Sequence, residues 1–146
     1  MFLLISQRDN ILRYSPSEGT NLGMNLKLTR PDIKMARFNL MTNTVYFIAQ
    51  RLVQTTIRYL APWMKTSSEI ELCKPDAKPL FFTIDFLSNT LYWTDESDSS
   101  ISFVHLPITN SQKESTGNGT YSTQCGIILQ HEDYHPTKIM AVPEEG

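Results

Sequence analysis

The string NTLYWTD at residues 89–95 has a weaker copy, NTVYF, at residues 43–47, and the two are offset by 46 residues. Self-similarity at such a period restricts the chain to modular folds in which one supersecondary unit recurs. Each copy is short, rich in β-branched and aromatic residues, and preceded by turn-forming residues, so each reads as a strand after a turn. No stretch keeps apolar residues at helical spacing for the ~10–12 positions a helix needs. The expected class is all-β.

Taken in order, residues 2–14 read as two strands around a polar turn at 7–10. A Ser/Pro/Gly/Asn-rich loop follows, then an alternating strand at 25–29 carrying Leu26 and Leu28. Strands are expected at 33–40, 45–49 and 55–60, and again at 69–73, with Pro75 and Pro79 closing the unit. The pattern restarts with 80–85, 91–94, 101–106 and 126–130, interrupted by a Ser/Thr/Asn/Gly tract at 109–123. His135-Pro136 opens a third restart, with a strand expected at 138–142.

Four-stranded antiparallel units at this spacing are the mark of a β-propeller. A single unit cannot bury both faces, so neighbouring units must cover them. A propeller has about 4–8 blades, and this chain has room for about three. The reading is an incomplete propeller, with two full four-stranded blades between two partial ones. The partial blade 1–30 is followed by a blade at 33–75 and another at 80–130 carrying the polar loop 109–123. The start of a further blade occupies 135–146.

Composition narrows the partners. Thirteen basic and 15 acidic residues give a net charge of −2, which provides no electrostatic footprint for nucleic acid or an anionic membrane. No apolar run approaches the ~20 residues of a membrane span, so no direct membrane insertion is expected. The opening MFLLIS has no basic n-region and reads as a strand rather than a leader. Cys73 and Cys125 are too few for a disulfide framework and lack metal-ligand spacing. They could form one bridge in an oxidising compartment or stay as two thiols, and both alternatives are open.

The segment TIDFLSNTLYWTD, residues 83–95, resembles the YWTD repeat of low-density-lipoprotein-receptor-related propellers. Asp85 stands seven residues before Tyr92, where that repeat carries its inner-strand aspartate. The opening FLLISQRDNILRYS is similar to the family's first segment. Asp32-Ile33-Lys34 with Ala36, and His135 through Ile139, are similar to the approaches to later blades. The resemblance implies an extracellular YWTD β-propeller module of a receptor, used for ligand recognition or for ordering its neighbours. Its partners would be a protein ligand and adjoining extracellular modules, and no cofactor is implied. A structural or matrix propeller is the alternative, and a metal-dependent propeller hydrolase a more distant one.

The resemblance also assigns roles. Tyr92 and Trp93, with Tyr46 and Phe47 in the weaker copy, would fill the space between blades. Thr94 and Asp95 would supply the hydrogen bonds that tie blades together. The weaker copy has Ile48 and Ala49 at those two places and Asn39 in place of the repeat aspartate, while Pro143 takes the aspartate's place in the last unit. These departures leave the ligand-binding residues unassigned.

Other candidates weigh less. Asp95, Glu96 and Asp98 form an acidic cluster, but it lacks the glycine and distal glutamate of the 12-residue calcium loop and reads as a solvated turn. His105, His131 and His135 are of the residue type suited to a pH sensor, but they are scattered along the sequence and read as incidental. Asn118-Gly119-Thr120 is an N-glycosylation sequon in the polar loop. Six arginines, Arg8, Arg13, Arg30, Arg37, Arg51 and Arg58, are dispersed and read as surface charge. No nucleophile elbow, phosphate loop or zinc-protease motif occurs, and no catalytic residue is assigned.

Overall fold

The computed structural model describes residues 3–7, 10–15, 17, 19–21, 26–27, 32–39, 41–51, 54–61, 64, 66–106 and 124–142. Among them every regular element is a β-strand. The chain divides into two compact units, one of residues 1–70 with 77–79 and the other of residues 71–76 with 80–146.

The first unit holds two four-stranded sheets. In one, β1 (Leu3–Gln7) pairs antiparallel with β2 (Asn10–Ser15), and β2 also takes two short strands, β3 (Thr20–Asn21) and β4 (Leu26–Lys27). In the other, β5 (Asp32–Asn39), β6 (Thr44–Arg51), β7 (Gln54–Leu60) and β8 (Ser68–Glu69) follow in sequence order. The first strands of the two sheets, β1 and β5, lie beside each other. Ile33, Val45, Phe47 and Ala49 form a core with Ala36 and Phe38 against it. Its residues alternate along β6, as a pleated strand requires. Yet residues 44–49 are all buried, so the second face of β6 is covered as well. There Ile48 stands opposite Ile57, and Tyr46 opposite Tyr59.

The second unit repeats that sheet. β9 (Pro79–Asp85), β10 (Thr90–Asp95), β11 (Ser100–His105) and β12 (Cys125–Gln130) form an antiparallel meander. Leu91 faces Val104 across the ladder, and both are fully buried with Trp93 and Phe82. Gly126 lies opposite Phe103 in a position where a Cβ would come within 3.0 Å of the ring.

Three expected elements differ. The loop after residue 14 contains β3, which pairs with the end of β2. The strand expected at 69–73 stops at Glu69. Ile70 still donates to Ile57 O at 2.8 Å, but Cys73 then takes a left-handed backbone with φ 55° that no strand can hold. Residues 138–142 are not a strand. Ala141 N donates to the Thr83 hydroxyl instead of to a neighbouring backbone carbonyl. The polar tract 109–123 and Pro143 lie outside the described residues.

Candidate functional site

The 46-residue repeat is a repeat of geometry as well as of letters. Asn39 and Asp85 end their strands, and each accepts a hydrogen bond from the backbone N–H two residues on, Met41 and Leu87, both at 2.9 Å. Such side-chain-to-backbone closures are what Asn and Asp do at turns. Asn43 and Asn89 then adopt φ of 53° and 52°, the left-handed conformation asparagine tolerates best among non-glycine residues. Thr44 and Thr90 next donate their hydroxyls to the carbonyls of Thr42 and Ser88, at 3.1 and 3.2 Å. The departure of Asn39 from the repeat aspartate therefore leaves the turn intact, because either side chain offers the accepting oxygen. In the second unit Asp85 also accepts from the Ser88 hydroxyl at 2.6 Å. That bond and the Leu87 N–H hold its carboxyl below the usual carboxylate value.

Past the turn the copies diverge. Phe47 and Trp93 are both buried. Tyr46 is buried and Tyr92 half-buried. Burial, with Tyr59 beside it, pushes the Tyr46 phenol up to about 12. Ile48 and Ala49 pack as apolar residues where Thr94 and Asp95 stand in the stronger copy. The Thr94 hydroxyl is buried and has no hydrogen-bond partner among the described residues.

Asp95 is the centre of a polar cluster at the end of β10. Its side chain is fully buried. It accepts from Ser97 N at 2.9 Å and from the Ser97 hydroxyl at 2.6 Å, with Trp93 Nε1 at a long 3.5 Å. The cation comes from the first segment of the second unit, residues 71–76: Lys74 Nζ lies 3.2 Å from Asp95 Oδ2, 2.6 Å from Asp98 Oδ2 and 2.8 Å from the Ser97 hydroxyl. The acidic cluster is thus a compensated one, and only Glu96 fits the expected solvated turn. Burying a carboxylate is costly unless it is paired and hydrogen-bonded, and this arrangement supplies both. Burial works against the charged form of Asp98, but Lys74 and Ser100 outweigh it and lower its carboxyl below the usual value. Lys74 is likewise opposed by burial and raised by Asp98 and Asp95.

Lys74 is held there by its neighbour. Cys73 is disulfide-bonded to Cys125 at the start of β12, with Cα atoms 6.3 Å apart. The residues from 71 to 76 are thereby fixed to the sheet by a covalent bond at Cys73 and an ion pair at Lys74. Sequence reasoning treated the two cysteines alone and missed the lysine. The only signal for it was a basic residue adjacent to a cysteine.

The remaining candidates do not converge. His105 Nδ1 is 2.8 Å from the Thr90 hydroxyl, and His135 Nδ1 is 2.7 Å from the Ser99 hydroxyl. His131 lies 3.8 Å from Asp133 and edge-on to Tyr134. Each imidazole has its own local partner. Arg58 is not loose surface charge. It donates to Ser67 O at 2.8 Å and to the Ser67 hydroxyl at 3.0 Å and pairs with Glu69 at 3.4 Å, fastening β8 to β7. Asn118, Arg8 and Arg30 lie outside the described residues. Among the described residues, no group of three metal-ligating side chains gathers, and no helix is long and apolar enough to cross a membrane. The chain matches no protein-family model and no curated protein.

Proposed function

We propose that this chain is a run of blades from a YWTD-type β-propeller of the lipoprotein-receptor-related class, acting outside the cell as a protein-binding module. The observation that carries the reading is the recurrence, at a 46-residue offset, of one turn and one aromatic strand in two successive sheets of the same strand order. In a propeller each blade is such a four-stranded meander, and middle strands are covered on both faces, as β6 is here. A disulfide between Cys73 and Cys125 is consistent with an oxidising compartment. The carboxylates that could do chemistry are engaged structurally: Asp85 closes its own turn, and Asp95 is held by Lys74 and Ser97. That favours recognition over catalysis.

Two measurements test the reading. Antibody staining of the tagged full-length protein should label intact, non-permeabilised cells or the medium. Signal confined to the cytosol would remove the receptor reading. Particle averages of the purified full-length protein should show sheets radiating about a channel, and sheets stacked face to face as a sandwich would remove the propeller.

A further inference from the structure

The segment Glu71–Asp76, which groups with the second unit, belongs to no strand. Two adjacent residues fasten it in different ways. Cys73 is exposed, sits at φ 55°, and is bonded to Cys125. A left-handed backbone is disfavoured for a residue with a Cβ, so the position persists because its surroundings impose it. Lys74, one residue on, serves Asp95 and Asp98. Cys73 as a residue stands at the surface, whereas the Asp95 carboxylate that depends on its neighbour is fully buried. The ladder from β9 to β12 is complete without the segment.

We infer that the Cys73–Cys125 bond is a thiol-sensitive latch. It holds Lys74 against Asp95 and Asp98, and its reduction frees residues 71–76 while the sheet of β9 to β12 stays paired. In the reducing step the thiolate of a small thiol of the glutathione class attacks the sulfur of Cys73, the more exposed of the two cysteines. The sulfur–sulfur bond breaks, and Cys125 leaves as a thiolate that takes up a proton. The thiolate of a second such molecule then attacks the first one's sulfur in the mixed disulfide, and Cys73 leaves as a thiolate that takes up a proton. The protein gains two electrons and two protons, and the reductant becomes its own disulfide. Once released, Cys73 relaxes out of its left-handed conformation and the segment regains chain entropy. Lys74, on a flexible stem, follows it into water. The latch thereby couples redox state to the exposure of the buried Asp95 carboxylate.

Trp93 reports on the event, because its Nε1 lies 3.5 Å from Asp95 Oδ2. The chain has two tryptophans, so Trp63→Phe leaves Trp93 as the only indole. That variant is treated with millimolar glutathione, free thiols are counted, and amide exchange is followed. Exchange of residues 71–76 should rise about tenfold or more, with the strand amides changing less than about twofold, as expected for local rather than global opening. Trp93 emission should shift and return on reoxidation. With Cys73→Ser and Cys125→Ser combined, the open pattern should appear without any thiol. Lys74→Met should shift Trp93 emission with the disulfide intact. Unchanged exchange at 71–76 after both sulfurs are reduced overturns the latch, as does resistance to millimolar thiol. Loss of protection through all four strands overturns it too, since the bond would then be a requirement of the fold.

Discussion

Asn39 is 2% exposed while Asp85 is half-buried, although both accept the bond that closes the same turn. Conforming Asn39 to the repeat would therefore place a carboxylate where water cannot reach it. The two backbone donors, Met41 and Thr42 N–H, offset only part of that cost. Asn39→Asp should lower stability by about 2 kcal/mol, whereas Asp85→Asn should change it by less than about 1 kcal/mol. Urea midpoints of the two variants decide it, and equal shifts would contradict the burial argument. Thr94 gives the opposite case. Its hydroxyl is buried without a partner among the described residues, and the first copy carries Ile48 at the corresponding place. Removing an unsatisfied hydroxyl while keeping the shape is neutral to stabilising, so Thr94→Val should raise stability by up to about 1 kcal/mol. Destabilisation by a similar amount would mean that the hydroxyl has a partner after all, as the YWTD resemblance implies.

At the level of elements, the outer strand is where a single residue controls packing. Gly126 stands opposite Phe103, and a Cβ there would meet the ring at 3.0 Å. Ring atoms can move but not freely between two strands, so Gly126→Ala should cost about 1–2 kcal/mol through overpacking. Combining it with Phe103→Leu should recover most of that loss, and thermal melts of the pair as a double-mutant cycle read the coupling. The strands themselves were legible in the sequence wherever period-two alternation and turn residues coincided. That is why β5 to β7 and β9 to β12 fall within a residue or two of expectation. Legibility failed where backbone conformation depended on distant partners. The 69–73 run has the alternation of a strand, but it is ended by a cysteine whose conformation is tied to a residue 52 positions away. Residues 138–142 have the composition of a strand and lack a ladder partner among the described residues. The candidate site was half legible: its aspartates stood out, while the lysine that compensates them carried no local pattern.

For the whole molecule, the Lys74 cluster makes stability depend on pH at both ends of the scale. Burial opposes the charge on Asp98, but Lys74 and Ser100 hold its carboxyl below the ordinary 3.8. A depressed carboxylate contributes stability that is fully present above its unfolded value and lost as pH falls through the folded one. Burial also opposes the charge on Lys74, but Asp98 and Asp95 raise its ammonium above the ordinary 10.5. A raised ammonium contributes stability that is present below its unfolded value and lost as pH rises through the folded one. Between about 4 and about 10, then, both contributions stand in full. Lys74→Met keeps the aliphatic stem and removes the charge, leaving the buried Asp95 carboxylate without its cation. Breaking a buried pair this way costs several kcal/mol, and because Lys74 is a quarter exposed we expect about 2 kcal/mol. The difference in urea midpoint between the unmodified chain and Lys74→Met should be level from pH 5 to pH 9. It should narrow below about pH 4 as Asp98 takes up its proton, and again above about pH 10.5 as Lys74 loses its own. A difference that stayed constant from pH 2 to pH 12 would show that Lys74 supports the fold through packing and not through charge.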